Sequence, residues 1–309
     1  MILAFALSFK FALGENVKHA NGTNPDLARF PQTRMGVEQL YYDYFTRAKA
    51  YKKAQESFGK LSPKDIEKNK IASPRRDLDL DAIAEILDNK RFITCHSYVQ
   101  SEVLMLMHVA DSMKFKVNTF THILEGYKVA DKMKAHGANA STFADWWAYK
   151  LEVMDAIPYN AAMLTKIGVN TAINSDDAEM GRRLNQEAAK SIKYGHLSEV
   201  QALKLITLNP AKMLHIDNKV GSIKVGKVAD LVLWTDNPLS VYAKVNTTII
   251  DGQIYFDVAD DAKLRTDLQK ERARIIAKLI AEKNKGTKVI KPVAKKQNKF
   301  HCDSEESGL

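Results

Sequence analysis

Short apolar segments alternate with longer segments of helical periodicity along most of the chain, which is the pattern of parallel strands joined by helices. Five segments are predicted as strands of one parallel sheet: 5–13, 92–95, 117–120, 139–143 and 169–174. The stretch between the first two is unusually long for a connection between strands. We therefore expect a lid or an insertion at 16–76, with an amphipathic helix over 35–58.

The pattern changes after residue 220. Two short apolar runs are separated by turn residues, and Asp251-Gly252 favours a β-hairpin, so we expect a small antiparallel β unit. A charged amphipathic helix and a lysine-rich end follow. Four domains or segments are predicted. They are an α/β domain at 1–215 that contains the insertion, a β domain at 216–256, a charged helix at 257–284 and a disordered tail at 285–309.

Composition narrows the class of protein. The chain has 309 residues, of which 45% are hydrophobic and 27% charged, as in ordinary globular proteins. The two cysteines, Cys95 and Cys302, exclude a disulfide-rich secreted scaffold. No apolar run approaches the roughly 18 residues that a membrane helix needs, so no membrane span is expected. The compartment stays open, with the cytoplasm as default and the periplasm as the alternative for a longer relative.

The net charge of +9 comes mainly from one end of the chain. Residues 283–299 contain seven lysines and no acidic residue, so the remainder of the chain has a net charge of +2. Such a lysine run is typical of a solvated, disordered end. We therefore expect no specific nucleic-acid partner, with a polyanion-binding tail as the weaker alternative.

Three polar residues follow predicted strands. His96, His122 and Asp176 stand where the second, third and fifth strands end. In a parallel barrel the carboxyl ends of all strands open on one face, so these side chains can converge. Imidazoles and a carboxylate suit a divalent metal, zinc above all, and a carboxylate can also transfer protons. The alternatives are hydrogen-bonded structural histidines, and a helix N-cap formed by Ser175-Asp176-Asp177.

The segments around these residues resemble a known family. FITCHS, THILEGY and AINSDD are similar to the last motifs of the metal-dependent amidohydrolase superfamily. TLNPAKML and VGSIKVGKVADLVLW are similar to that family's return from its barrel to a small β-sandwich. The resemblance covers about residues 5–256 and is nearest the imidazolonepropionase-like branch. It implies a (β/α)8 TIM-type barrel that hydrolyses C–N bonds of small amide, cyclic amide or peptide-like substrates with a metal-activated water.

The resemblance also implies roles for individual residues. His96 and His122 match the metal ligands of the fifth and sixth barrel strands of the family. Asp176 matches the eighth-strand aspartate, which contacts the metal and shuttles protons. The fourth-strand ligand is either a carboxylated lysine at Lys10 or a carboxylate at Glu15, and the position of Glu15 at the strand exit favours it slightly.

One family motif has no match in this chain. The family's first strand supplies two ligands through His-x-His, and none of the eight histidines forms that pattern. The strand count indicates a partial barrel, about strands 4 to 8, with the C-terminal part of the β-sandwich. We therefore expect an N-terminally truncated chain with little activity in isolation. The alternative is a non-catalytic fragment or assembly partner, a homo-oligomer or one half of a complementing pair, that associates through an open sheet edge.

Two smaller predictions concern residues near the strand ends. Trp146, Trp147 and Tyr149 follow the fourth predicted strand, where they either wall a substrate pocket or pack in the core. Side chains alternate along a strand, so Cys95 points away from the face that carries His96. We expect a buried, unreactive thiol there.

Overall fold

A computed structural model of the chain describes residues 8–18, 29–146, 150–288 and 290. Eight strands are present among these residues: β1 (Ser8–Ala12), β2 (Phe92–His96), β3 (Thr119–Thr121), β4 (Asn139–Thr142), β5 (Thr171–Ile173), β6 (Leu231–Trp234), β7 (Val245–Ile250) and β8 (Gln253–Asp257). The chain divides into two compact units. The first comprises 1–174 and 187–221, and the second comprises 175–186 and 222–309.

The helices of the described residues lie between and after these strands. They are α1 (Glu15–Lys18), α2 (Arg34–Gly59), α3 (Pro63–Lys68), α4 (Leu78–Leu87), α5 (Gln100–Met113), α6 (Ala130–His136), α7 (Asn160–Ile167), α8 (Ala178–Gly181), α9 (Leu184–Gly195), α10 (Glu199–Lys204), α11 (Leu208–Met213) and α12 (Val258–Asn284). None of them is long and apolar enough to cross a membrane.

The first unit contains a five-stranded parallel sheet in the order β1-β2-β3-β4-β5. Its register places the carboxyl ends level, because Ala12, His96, Thr121, Ser141 and Ala172 are successive partners across the sheet. The prediction of a partial (β/α)8 barrel with parallel strands is confirmed. The level strand ends put His96 at the edge where a barrel of this class carries its chemistry.

The two faces of the sheet differ because side chains alternate. The row Phe11, Cys95, Phe120 and Ala140 is buried among the helices. The neighbouring row, which contains His96, therefore lies on the opposite face. The predicted burial of Cys95 is confirmed, and burial raises the pKa of its thiol well above the usual value, which disfavours the reactive thiolate.

The segment predicted as a lid or insertion contributes to this core. α2 begins at an N-cap, where the Thr33 hydroxyl accepts the Gly36 N–H. Its apolar side chains recur at helical spacing, which puts Tyr41 and Phe45 against Phe11 of β1, with ring centroids 5.1 and 6.2 Å away. α2 therefore lies on the helical face of the sheet.

The second unit contains the antiparallel sheet β6-β7-β8. Asp251 and Gly252 both have positive φ, 51° and 78°, between β7 and β8. That is the backbone of a type I′ hairpin turn, so the predicted hairpin is confirmed. α12 follows β8, with the Asp257 carboxylate accepting the Ala259 N–H at its N-cap.

Candidate active site

The centre of the candidate site is a pair of histidines at the ends of β2 and β3. The imidazole rings of His96 and His122 meet edge to face, with centroids 4.4 Å apart. Both side chains are buried. The structure therefore brings together two residues that are 26 positions apart in the sequence.

An unusual backbone conformation makes this contact possible. Thr121 pairs with His96 across the sheet, so a regular strand would put His122 on the opposite, helix-covered face. Instead, His122 has a φ of 65°, in the left-handed region that non-glycine residues seldom adopt. This turn directs its ring to the side of the sheet that carries His96. Backbone strain of this kind is concentrated at functional sites.

The loop after His122 is held by a buried amide. The Asn160 Nδ2 of α7 donates to the Ile123 carbonyl at 2.8 Å and to the Thr142 hydroxyl at 2.9 Å. Its Oδ1 accepts the Tyr127 N–H at 2.9 Å. Asn160 thus connects the end of β4 to the chain on both sides of the turn that follows the histidine.

Aromatic rings cover the histidine pair. The Tyr98 ring lies edge-on to His96 at 4.9 Å, and Phe143 stacks on His122 at 5.0 Å. Trp146 stacks on Phe143 at 4.4 Å. Tyr98 and Phe143 belong to a small apolar cluster separate from the main core. The rings shield one side of the histidine pair from water. Trp146 is part of this apolar wall through its contact with Phe143. The other two predicted aromatic residues, Trp147 and Tyr149, lie outside the described residues.

Glu15 lies at the exit of β1, as its place in the sequence indicated. Its backbone N–H donates to Glu152 Oε1 at 3.0 Å, and its carboxylate is 3.5 Å from Lys18 Nζ. The preceding Gly14 has a φ of 78°, and a Cβ there would stand 2.7 Å from the same Glu152 oxygen. Only glycine lets the carboxylate approach the turn this closely.

Lys150 lies between the Glu152 carboxylate and the Tyr98 ring. Its ammonium lies 4.0 Å from the centroid of the Tyr98 ring and 3.7 Å from Glu152 Oε2. A cation over an aromatic face and beside a carboxylate is stabilised by both. The positive charge is therefore held one ring away from His96.

Glu102 of α5 is a buried carboxylate beside Gly14. One oxygen accepts from Arg34 Nε at 2.9 Å, and the other has no hydrogen-bond partner among the described residues. Burial raises the pKa of this carboxyl, Arg34 and Lys18 oppose the shift, and Glu152 adds to it. The net effect is upward, so Glu102 holds its proton more readily than an exposed glutamate does.

This shift predicts how stability depends on pH. The folded chain holds the Glu102 proton at pH values where the unfolded chain has lost it, so this stabilisation is complete below the ordinary carboxyl pKa and is lost as pH rises through the raised one. We expect Glu102→Gln to gain stability relative to wild type as pH rises through that window, measured by urea denaturation. Glu271→Gln is the control, because Arg274 lowers the pKa of Glu271, so the trend with pH is expected in the opposite direction. A difference that is constant with pH would contradict the assignment.

The remaining predicted site residues lie elsewhere. Lys10 pairs with Thr94, two residues before the level of His96, and its side chain is exposed. Asp176 belongs to the second unit, where its side chain is half-buried. The neighbouring Asp177, rather than Asp176, caps α8 by accepting two backbone N–H groups. Metal ligation by Lys10, Glu15 or Asp176 stays a prediction.

Sequence reasoning did not find Tyr98, Glu102, Lys150, Glu152 or Asn160. Tyr98 stands two residues after His96, so its nearness to a strand end was a usable signal. Glu102 follows His96 by only six residues, but Lys150, Glu152 and Asn160 reach the site from segments distant in the sequence, as the 137 residues between Glu15 and Glu152 illustrate. No local pattern marks such positions.

The histidine pair fits a metal ion in donor chemistry. Buried imidazole nitrogens are ligands that zinc and similar ions take, and catalytic zinc sites use three protein ligands. Within the described part of the chain, no three His, Cys, Asp or Glu side chains are grouped closely enough to hold a metal ion. The histidine pair alone therefore has fewer donors than the three protein ligands of a catalytic zinc site, and metal ligation by His96 and His122 stays a prediction.

Comparison with known proteins points to the amidohydrolase family. Residues 102–255 match the model of the amidohydrolase family. The structure is similar to that of an amidohydrolase from Thermotoga maritima MSB8, with a TM-score of 0.70 and 29% identity. The match covers 81% of this chain and 63% of that one.

The chain carries an amidohydrolase family domain. In sequence it is 27% identical over 253 residues to amidohydrolase tasK of Hapsidospora irregularis, covering 80% of this chain and 25% of the relative. It is 35% identical over 117 residues to the urease subunit alpha of Edwardsiella ictaluri (strain 93-146), covering 32% of this chain and 20% of the relative. The chain thus spans a fifth to a quarter of these two relatives. The imidazolonepropionase-like branch stays a prediction.

Proposed function

We propose that this amidohydrolase domain takes part in the hydrolysis of C–N bonds in small amide, cyclic amide or peptide-like substrates. The observation that supports the proposal is the buried contact of His96 and His122 at level strand ends, with His122 in a strained conformation. Proteins of this family generally use divalent metal ions. Zinc is the ion we propose, because both donors are imidazoles.

The residues take distinct roles in this proposal. His96 and His122 would hold the metal ion, and Asp176, Glu15 or a carboxylated Lys10 would supply a further ligand. When bound, a divalent metal lowers the pKa of a water molecule, which then acts as a nucleophile near neutral pH. Asp176 accepts the proton of that water and delivers it to the leaving nitrogen. The wall formed by Tyr98, Phe143 and Trp146 limits the access of bulk water to the histidines.

Zinc binding by histidine variants tests the proposal. We expect His96→Asn and His122→Asn to weaken zinc binding, measured by calorimetry, by more than the roughly 10–100-fold that loss of an outer-sphere partner costs. His108→Asn is the matched control, because His108 is exposed on α5. Wild-type affinity in both site variants, or no zinc binding by the wild type, would overturn the metal assignment.

Hydrolysis tests the reaction itself. We expect slow, zinc-dependent release of amine from a panel of N-acyl amino acids, cyclic imides and dipeptides, because two histidines are fewer than the three protein ligands that catalytic zinc sites use. Asp176→Asn is expected to reduce turnover more than zinc affinity, since a proton shuttle acts in the reaction rather than in the substrate-free state. Equal turnover with and without zinc would contradict the proposed chemistry.

A second candidate function is assembly with another polypeptide through β1. Among the described residues β1 pairs only with β2, and Lys10 on it is exposed. A cleft of about 500 Å³ beside the strand is lined mainly by apolar residues of β1, α1, α2 and α4, together with Lys10 and Asp79. Unpaired edges beside apolar surface favour strand addition. Hydrogen exchange of the β1 amides, with and without a polypeptide that supplies further parallel strands, tests this: protection is expected, and unchanged exchange would exclude it.

A further inference from the structure

α12 is a long helix that leaves its side chains accessible in the described part of the chain. It runs for 27 residues, and none of its side chains is buried. It also lies beyond residue 255, where the match to the amidohydrolase family model ends. The family resemblance therefore gives this helix no role.

One face of α12 carries a stripe of large apolar side chains. Leu264, Leu268, Ile275 and Leu279 are spaced by 4, 7 and 4 residues, which places them on one side of an α-helix. Their exposed fractions are 62%, 68%, 45% and 51%. A stripe of this kind on a charged helix is typical of a surface that another helix covers.

The spacing of the stripe is the same in both directions along the helix. In an antiparallel pair with its two-fold axis between residues 271 and 272, Leu264 faces Leu279 of the second copy, and Leu268 faces Ile275. A parallel pair also aligns the stripe with itself, so the apolar pattern alone leaves the direction open. Such a self-complementary patch is what a two-fold interface between identical chains requires.

The charge distribution along the helix decides between the two directions. Residues 258–268 contain three acidic and two basic side chains, a net charge of −1, whereas 269–284 contain five basic and two acidic ones, a net charge of +3. Parallel pairing puts the two basic halves side by side. Antiparallel pairing puts each basic half beside an acidic one, with Asp260 opposite Lys283 and Glu271 opposite Arg272 of the second copy. Opposite charges therefore favour the antiparallel arrangement.

We propose that α12 associates with α12 of a second copy of this chain, antiparallel, through Leu264, Leu268, Ile275 and Leu279. The apolar stripe of one copy is covered by the same stripe of the other copy. This interface is independent of the proposed chemistry and of the open edge of β1.

Sedimentation velocity of the full chain from about 1 μM to 1 mM, the Kd range of weak dimers, tests the proposal. We expect dimerisation by the wild type and at least a 100-fold higher dimer Kd for Leu268→Lys/Ile275→Lys, because the two apolar contacts between Leu268 and Ile275 become two like-charged pairs. The matched control is Thr266→Lys/Ala277→Lys, which adds the same charge on the opposite face of the helix with the same symmetry. Both pairs are solvent-exposed, so neither substitution disturbs a core.

A charge-reversal variant tests the direction. In Leu268→Lys/Ile275→Glu, an antiparallel pair brings the introduced ammonium of one copy opposite the introduced carboxylate of the other, whereas a parallel pair aligns like charges. We expect this variant to bind about tenfold or more tightly than the double-lysine variant. A binding constant equal to that of the double-lysine variant would exclude the antiparallel arrangement. A monomeric wild type, or equal effects of the stripe and control variants, would overturn the interface altogether.

Discussion

Replacing Asn160 with alanine is expected to lower the free energy of unfolding by about 3–5 kcal/mol. The side chain is 1% exposed and makes three hydrogen bonds, to Ile123, Thr142 and Tyr127. The substitution leaves the Ile123 carbonyl and the Tyr127 N–H without this partner, and the Thr142 hydroxyl keeps only its bond to the Phe143 carbonyl. Each buried group that is left unsatisfied costs roughly 1–3 kcal/mol. Because Ile123 directly follows His122, we also expect zinc affinity to fall with stability.

Urea denaturation followed by circular dichroism measures this effect. Asn246→Ala is the control, because Asn246 is exposed and its one side-chain hydrogen bond, to Thr247, is 3.5 Å long. We expect that control to stay within about 0.5 kcal/mol of wild type. A loss below about 1 kcal/mol for Asn160→Ala would show that the amide does not hold the loop after His122.

Replacing Phe45 with alanine is expected to cost about 3–5 kcal/mol, the usual range for removing a buried aromatic ring. Phe45 is fully buried and stacks on Phe115 with centroids 4.0 Å apart. It also contacts Phe11 of β1, so the cavity would open between α2 and the sheet. This variant tests whether the long segment between β1 and β2 is part of the folded core.

Thermal and urea unfolding, together with protease sensitivity of α2, report the result. Met35→Ala on the same helix is the control, since Met35 is 77% exposed and its truncation removes little buried surface. If α2 were a detachable lid, Phe45→Ala would expose α2 to proteolysis while leaving the global unfolding free energy near wild type. We expect both measures to change together.

Much of the fold follows from local sequence patterns. The strands at Phe92–His96 and Val245–Ile250 and the turn at Asp251-Gly252 are encoded by apolar runs and turn residues that act over a few positions. The placement of His96 at a strand end is local in the same sense. Alternation likewise places Cys95 on the face away from His96, where burial raises the pKa of its thiol.

The contact between the two histidines does not follow from local sequence patterns. A regular strand would have turned His122 to the helix-covered face, and only its positive φ brings its ring to His96. No feature of the segment around His122 marks that conformation, because a histidine there lacks the signature that glycine gives to a left-handed turn. Hydrogen bonds from Asn160, which follows 38 residues later, hold the loop instead.

The positions of the Glu102 and Glu152 carboxylates beside Gly14 likewise do not follow from local sequence patterns. Glu102 approaches Gly14 from α5 and Glu152 from a short 3₁₀ helix, Leu151–Val153, and Arg34 reaches Glu102 across 68 residues of sequence. The raised pKa of the Glu102 carboxyl is a consequence of its burial, which depends on how α2 and α5 pack against β1. Such long-range burial has no periodic signal in the chain.

The sequence by itself determined the alternation of strands and helices, the hairpin of the second unit, the basic end of the chain and the two histidines at strand ends. These features depend on side-chain periodicity and turn chemistry, which act between near neighbours. Tertiary structure alone decided that the histidine rings touch, that Tyr98 and Phe143 cover them, and that Glu102 is buried beside Gly14. These features depend on packing between segments far apart in the chain, where burial and close contact, rather than local pattern, set the chemistry of each group.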